Sequence, residues 1–412
     1  MKKGKIIIIN HYGITPDMPG ATKHYDLARY FSEKGEYEIE FWMCGYNHVT
    51  GKYADGLNGI NLQYKYQDNG IKIVKIKSAP YWGSNFMRQL NILLFDFLVG
   101  IKLFFSRGIK CIILSMPPIT FFATDAAYIR NMKMVADVED LWPLFIEDMG
   151  MKNKIVSTYM EHFANHSYNL STAFEAVSKG MLDYVQGKIK DKNKKSWLAP
   201  LGVNLNLVGG KIDKNVINHY KWKDDFIVMY AGAHGRANDL ESVLQTISLF
   251  EKEYHTINGK KVSFVFIGNG DNKELLVKLS NTLKLKNVYF EDAVPSSEIP
   301  KILMNANVCL TNLRKIESFK LVRPNKIFQY MAAKKPILCG IWGEASDVVR
   351  EAGAGIYVDF TSSGAADKLY EFMSRSDLEQ IGNRGFEYVS KYGNRDIIFE
   401  EFYGHIKEIL EC

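Results

Sequence analysis

A chain of 412 residues exceeds one ordinary domain and points to two or three. Its composition, 47% hydrophobic and 24% charged, is that of a globular chain able to bury sizeable cores, and it excludes the disordered and collagen-like classes. The net charge of +6 does not by itself indicate a nucleic-acid binder, and it is unevenly placed: residues 60–110 hold eight basic side chains against only Asp68 and Asp96.

The opening MKKGKIIIIN reads as a core strand and not as a signal peptide, because its apolar run is four isoleucines and no small-residue cleavage site follows. Further β-rich runs occur at 37–43, 71–77, 111–115, 134–138 and 173–178, with helical patterns at 21–34, 86–105 and 152–169. Apolar strands alternating with helices predict a parallel sheet covered on both faces. The stretch 90–105 is broken by Asn91, Asp96 and Lys102, and at about 1.5 Å per residue it falls short of a ~30 Å hydrocarbon core, so it is not read as a spanning helix. The lysine-rich stretch 188–195 reads as a solvated linker. A second succession follows: FIVMYAG (226–232) before a helix from Leu240, VSFVFIG (262–268) before one from Lys273, then NVYFED (287–292), a helix at 299–305, VCLT (308–311) and PILC (336–339). The expected fold class is therefore α/β, two Rossmann-like doubly wound domains. The final helical segment, 396–410, is not assigned to either by periodicity.

The five cysteines, Cys44, Cys111, Cys309, Cys339 and Cys412, are far apart and include no C-x-x-C pair, which argues against a disulfide framework or zinc site and fits a reducing cytoplasm.

In open α/β sheets ligands bind at the carboxyl ends of strands, which makes four junctions candidates. After the first strand, Gly20 allows close backbone approach to a phosphate; alternatively the segment is an ordinary loop capped by Thr22. After 226–232, the sequence Gly232-Ala233-His234-Gly235-Arg236-Ala237-Asn238 combines small residues with a guanidinium, the donors a pyrophosphate needs, although Arg236 also suits a surface salt bridge and His234 a loop filling. Gly268 and Gly270 permit a tight strand-to-helix turn. Pro324 opens a helix whose first turn holds Lys326, a cation that opposes the helix dipole unless an anion binds there. Finally, Asp137, Glu139 and Asp140 crowd the end of the 134–138 strand beside Trp142 and Pro143, a set suited to sugar hydroxyls, general base work or a metal, or to an acidic cap paired with lysine.

The succession of G-x-T-K near residue 20, DVEDLWP, VSKGMLDYV, APLGVN, YAGAHGRAN, FIGNGD, PNKIFQYMAAKKPIL and GEASDVVREAGAGI resembles a bacterial family 4 glycosyltransferase, within the branch that includes O-antigen and capsule L-fucosamine transferases. The resemblance covers nearly the whole chain. It implies the GT-B fold: an acceptor-binding domain at 1–188 plus 396–412, with the last helix returning to it, and a nucleotide-sugar-binding domain at 189–395, the two facing a cleft. It implies retaining transfer without a metal or other cofactor, from a nucleotide-sugar, UDP-linked by proximity, to a polyprenyl-diphosphate-linked acceptor at an anionic membrane surface, on the cytoplasmic side of the plasma membrane and with no nucleic acid. By the same resemblance Arg236 and Lys326 neutralise the leaving diphosphate, and Gly20, Gly232, Gly235, Asn238, Gly268, Asn325 and Gln329 line the donor. Glu344 with the amides of Ala345 and Ser346 contacts the donor sugar and phosphates. Glu139 and Asp140 take the acceptor-side position where many relatives have His-Asp.

Two departures stand out. The family's E-x7-E motif ends in a glutamate that holds the ribose, where this chain has Gln329, and its first position is Leu321, with Glu317 out of register. Two other readings therefore stay open, a non-hydrolysing nucleotide-sugar 2-epimerase and a non-catalytic nucleotide-sugar-binding subunit. The basic excess of 60–110, with Tyr81, Trp82, Phe86 and an apolar helix, is expected to attach the chain peripherally to an anionic leaflet; the plain alternative is a core helix flanked by solvated lysines.

Overall fold

The computed structural model describes residues 2–47, 51–53, 57, 62–81, 86–117, 120–150, 153–207 and 220–411, so that Trp82, the expected helix start at Lys152 and Cys412 lie outside the described residues. Contacts divide the chain into two compact units, residues 1–15, 21–200 and 398–412 in the first, 16–20 and 201–397 in the second.

The first unit contains β1 (Lys5–Asn10), β2 (Glu38–Cys44), a small pair β3 (Tyr46–Asn47) and β4 (Lys52–Tyr53), then β5 (Gln63–Asp68), β6 (Ile71–Ile76), β7 (Ile109–Met116), β8 (Lys133–Val138), β9 (Ala173–Ala176) and β10 (Ser196–Leu198). Apart from the small pair they form one sheet in the order β10-β9-β8-β7-β1-β2-β6-β5, parallel except for the antiparallel edge strand β5. Winding proceeds outward from β1 in both directions, which leaves the carboxyl ends of β1 and β7 at the switch point where such sheets open a crevice. The run KIIIIN is apolar throughout because both faces are covered: Ile6 and Ile8 enter one core, Ile7 and Ile9 the other. The last helix, Arg395–Glu411, lays Phe402, Tyr403 and Ile406 into the first of these cores beside Phe31 and Trp197, as the resemblance implied.

The second unit contains β11 (Phe226–Ala231), the short β12 (Thr256–Ile257), β13 (Lys260–Ile267), β14 (Val288–Glu291), β15 (Val308–Asn312), β16 (Ile337–Gly340) and β17 (Gly355–Tyr357). The parallel order is β14-β13-β11-β15-β16-β17, the 3-2-1-4-5-6 arrangement of dinucleotide-binding sheets, with β12 an antiparallel appendage on β13. Again the strands are covered on both sides, with Val228 and Tyr230 in one core and Ile227 and Met229 in the other.

Three expectations are corrected here. Residues 188–195 do not leave the first unit: they lead into β10, which pairs with β9, and the contact-defined division falls after Pro200. Within that stretch Lys194 is not solvated lysine; its ammonium binds the carbonyls of Tyr168, Asn169 and Ser171 at the end of the helix Lys154–Leu170, where a cation complements the dipole. Thr22 does not cap the helix Lys23–Glu33; its hydroxyl donates to Asp26.

Candidate active site

In the second unit, the carboxyl ends of β11 and β15 flank the point where the strand order reverses, and the loop Gly232 to Asn238 leaves from there. Two glycines let this loop close on its neighbour. A Cβ on Gly268 would lie 1.9 Å from the carbonyl oxygen of Gly232, and one on Gly270 would lie 2.6 Å from that of His234, so both positions exclude any side chain. Gly268→Ala should therefore cost about 1–3 kcal/mol or more in urea unfolding, whereas Gly235→Ala, whose nearest neighbour is 3.8 Å away, should stay within about 0.5 kcal/mol.

Lys326 enters this junction from the helix Asn325–Ala332, whose Ile327, Phe328, Tyr330 and Met331 are buried and whose Lys326 and Gln329, three residues apart, share the outer face. Pro324 precedes the helix with φ −64°, as its sequence predicts. The Lys326 ammonium donates to the Tyr230 hydroxyl at 2.9 Å, sits 3.4 Å from Asn238 Oδ1 and lies 4.3 Å from the centre of the Tyr230 ring. It is also the atom that a Cβ on Gly232 would meet, at 2.9 Å. Its partners among the described residues are neutral, and burial without a carboxylate pushes its pKa down to about 7. Here is a cation held in a partly desolvated place with no anion of its own.

The other expected residues lie at loops and helix starts of the same unit. Arg236 opens the short helical turn Arg236–Asn238 and is exposed, with no ion pair to its guanidinium among the described residues. Asn238 is fixed through its backbone carbonyl by Asn312 and through its side chain by Tyr230. Glu344 starts the helix Glu344–Glu351 after Gly343, whose φ is +81° and whose missing Cβ admits the Lys320 carbonyl. The first-turn amides of that helix, including Ala345 and Ser346, precede the onset of intrahelical bonding and remain donors; the Ser346 hydroxyl is bound to the Gly343 carbonyl at 2.9 Å. Glu344 is tied to Arg323 at 3.0 Å, an ion pair sequence reasoning did not foresee. Asn325 Oδ1 is buried without a hydrogen-bond partner among the described residues. Gly20 is exposed and belongs to the short segment that groups with this unit. His234 is fully buried against Tyr230 and Phe290, and burial with nearby Lys273 and Lys326 lowers its pKa to about 4, so it is neutral at physiological pH.

The first unit gathers a second polar cluster. Lys23, only 1% exposed, donates to Asp137 at 2.9 Å and Glu175 at 2.8 Å and lies 3.7 Å from Glu139. His24 Nε2 is 2.8 Å from Asp137, and its Nδ1 is 2.8 Å from Asn10 Nδ2 and 3.9 Å from Glu139. Lys23 and His24 hold Asp137 well below the usual carboxylate range, while burial beside Asp137 raises Glu175 well above it. His24, Asp137 and Glu139 are close enough to bind a cation, but the Lys23 ammonium already supplies the positive charge there. Of the expected pair, Glu139 is half-buried at the edge of this cluster and Asp140 is exposed. The three acids thus play different parts: Asp137 is structural, Glu139 turns its carboxylate toward Lys23 and His24 from the edge of the cluster, and Asp140 is exposed. Lys23 was visible in the G-x-T-K motif; Glu175, 152 residues away, carried no local signal.

Residues 212–387, less than half of the chain, match the family model described as "Glycosyl transferases group 1". No curated protein matches the chain. Among solved structures it is similar to sucrose-phosphate synthase from Thermosynechococcus elongatus, with 13% identity, TM-score 0.76 and 99% of each chain covered. It is also similar to HepE from Anabaena in complex with UDP-glucose, with 13% identity, TM-score 0.71 and 98% and 100% covered. A third likeness is to WaaG, a glycosyltransferase involved in lipopolysaccharide biosynthesis, with 10% identity, TM-score 0.69 and 97% and 99% covered. Together these define the class by fold, a chain of GT-B architecture whose residues 212–387, in the second unit, match the group 1 glycosyltransferase model.

Proposed function

We propose that the chain is a retaining, metal-independent glycosyltransferase that moves a sugar from a nucleotide-diphosphate donor to a polyprenyl-diphosphate-linked acceptor in O-antigen or capsule assembly. The donor proposed is a UDP-linked N-acetylated deoxyhexose such as N-acetyl-L-fucosamine. The observation that carries the reading is Lys326: a desolvated ammonium without a carboxylate, at the switch point of a glycosyltransferase domain, is an anion site awaiting its anion. The UDP-glucose held by the HepE structure and the lipopolysaccharide role of WaaG support the donor class and the pathway class.

Breaking the anomeric C–O bond leaves an oxocarbenium-like centre and an anionic diphosphate. Lys326, Arg236 and the first-turn amides at Ala345 and Ser346 stabilise the departing charge, where preorganised donors contribute most. The acceptor hydroxyl attacks from the face the diphosphate leaves, its proton passes to the departing phosphate oxygen, and configuration is retained without a protein nucleophile. Glu139 and Asp140 orient the acceptor. Gln329 hydrogen-bonds the ribose with an amide in place of the charge-assisted carboxylate of relatives.

A panel of nucleotide-sugars tests this by thermal stabilisation. A hundredfold excess over Kd should stabilise the protein by about 2.7 kcal/mol for the true donor, and the matching nucleoside monophosphate should do less. Transfer of labelled sugar to a lipid-linked acceptor must then follow; a new epimer formed without acceptor, or binding without transfer, would replace this reading with the epimerase or the non-catalytic subunit.

A further inference from the structure

The helix Phe86–Phe105 in the first unit is apolar on both sides, with Phe95, Val99 and Leu103 in the core and further apolar side chains facing out. Its exposed positions, Gln89 excepted, all carry apolar side chains, with Phe86 78% and Phe105 77% exposed, while its buried side holds Asn91 and its single acid, Asp96. Asp96 accepts from the amides of Phe122 and Ala123 and so ties this helix to the start of the helix Phe121–Ile129, while Asn91 is paired inward with His11 at 2.6 Å. Gly100 tightens the same joint, since a Cβ there would lie 2.8 Å from the Phe122 carbonyl oxygen.

The apolar surface continues from helix to helix. Phe97 packs edge-on against Phe122, Phe122 against Phe121, Phe121 against Phe163 and Phe163 against Tyr159, which carries the face onto the helix Lys154–Leu170. Tyr128, Ile129 and Ile155 add side chains exposed by more than 60%. The acid of the middle helix, Asp125, is paired with His166 at 2.7 Å. Exposed cations flank the face: Arg107 just beyond the first helix, Arg130 with its guanidinium 5.9 Å from the Phe104 ring, and Lys154 beside Ile155. Among the described residues no helix is long and apolar enough to cross a membrane. By contrast, several of the basic side chains of 60–110 are engaged within the unit: Lys72 with Glu40 at 2.8 Å, Lys102 with Gln63 at 2.9 Å and Arg88 with the Tyr12 hydroxyl at 2.9 Å.

We infer that this three-helix face is a docking surface for an anionic lipid leaflet, inserting its aliphatic and aromatic side chains among the acyl chains while Arg107, Arg130 and Lys154 meet the headgroups. The inference rests on the proposed lipid-linked acceptor and refines it: of the expected mixture of basic residues, aromatics and apolar helix in 60–110, the apolar helix leads the attachment and two neighbouring helices extend it. An apolar face of this extent rimmed by cations and free of unpaired acids matches an interfacial leaflet.

The test is co-sedimentation of the full chain with vesicles of phosphatidylcholine alone or mixed with phosphatidylglycerol, at low and high salt. The mixed vesicles should retain the protein at high salt, and the pair Leu94→Glu with Phe97→Glu should reduce bound protein at least tenfold while leaving the melting temperature and nucleotide-sugar stabilisation unchanged. The conservative pair Leu94→Met with Phe97→Leu should bind as the parent does. Three results overturn the inference: binding that vanishes at high salt and ignores the glutamate pair, no vesicle binding at all, or a dimer in sedimentation equilibrium that the same pair dissociates. Because donor stabilisation is read on the same samples, a parent chain that binds no vesicles but is stabilised by a donor refutes the face alone, and a parent chain stabilised by no nucleotide-sugar refutes the enzyme reading instead.

Discussion

Replacing Lys326 with alanine is expected to lower sugar transfer by about 10²–10³-fold while leaving the protein folded and more stable than the parent below neutral pH. The two effects have one cause. Burial lowers the lysine's pKa from its ordinary 10.5 to about 7, so between those values the unfolded chain binds more protons than the folded one. Stability therefore rises with pH through that window, and the full burial penalty is carried below about pH 7. A methionine at 326 removes the penalty and should raise the urea midpoint most at pH 6. A bound diphosphate reverses the imbalance by favouring the ammonium, so donor binding should take up a proton and weaken by up to about tenfold per pH unit above 7. Calorimetry in buffers of different ionisation enthalpy measures that uptake. Lys326→Arg is not expected to rescue transfer, because the forked guanidinium does not fit where the ammonium stands 2.9 Å from both the Tyr230 hydroxyl and the space above Gly232. Arg236→Ala, at an exposed position, should also lose turnover by orders of magnitude, with no change in melting. Wild-type transfer rates in either alanine variant would falsify the assignment of the diphosphate site.

Lys23→Met should destabilise the first unit by about 3–5 kcal/mol, the effect expected when one partner of a buried ion network is removed. Asp137, 0% exposed, would lose the ammonium that holds it ionised and be driven toward the neutral acid that burial favours, as burial already drives Glu175. In that variant the folded state holds protons that the unfolded state releases above the ordinary carboxylate range, so its stability should fall as pH rises, and its deficit against the parent should shrink toward pH 4. Adding Asp137→Asn and Glu175→Gln should recover part of the loss, and a double-mutant cycle in urea reads the coupling. An unchanged midpoint for Lys23→Met would mean that the network contributes no net stability.

Much of this protein was legible from local pattern. Strands such as KIIIIN and FIVMYAG are apolar at every position because both faces of their sheets are covered, so composition alone marks them. The helix Phe86–Phe105 was bounded to the residue by its apolar run, and Lys326 was singled out by a charge placed against a helix dipole. Edge strands were not legible. QYKYQD in β5 is solvated along most of its length and pairs only with β6, and SWL in β10 is three residues long, so neither offers a hydrophobic period.

What the sequence by itself determined was the alternation of strand and helix, and with it two doubly wound sheets and the junctions where chemistry could sit. Only the tertiary structure decided which charges are spent inside the fold and which remain for a partner. Glu175 reaches Lys23 across 152 residues, Glu344 is claimed by Arg323, and Asp96 turns inward so that phenylalanines and leucines face out. The physical reason is that local sequence records periodicity, whereas the pairing of a buried charge and the covering of an apolar face depend on neighbours that the chain supplies from far away.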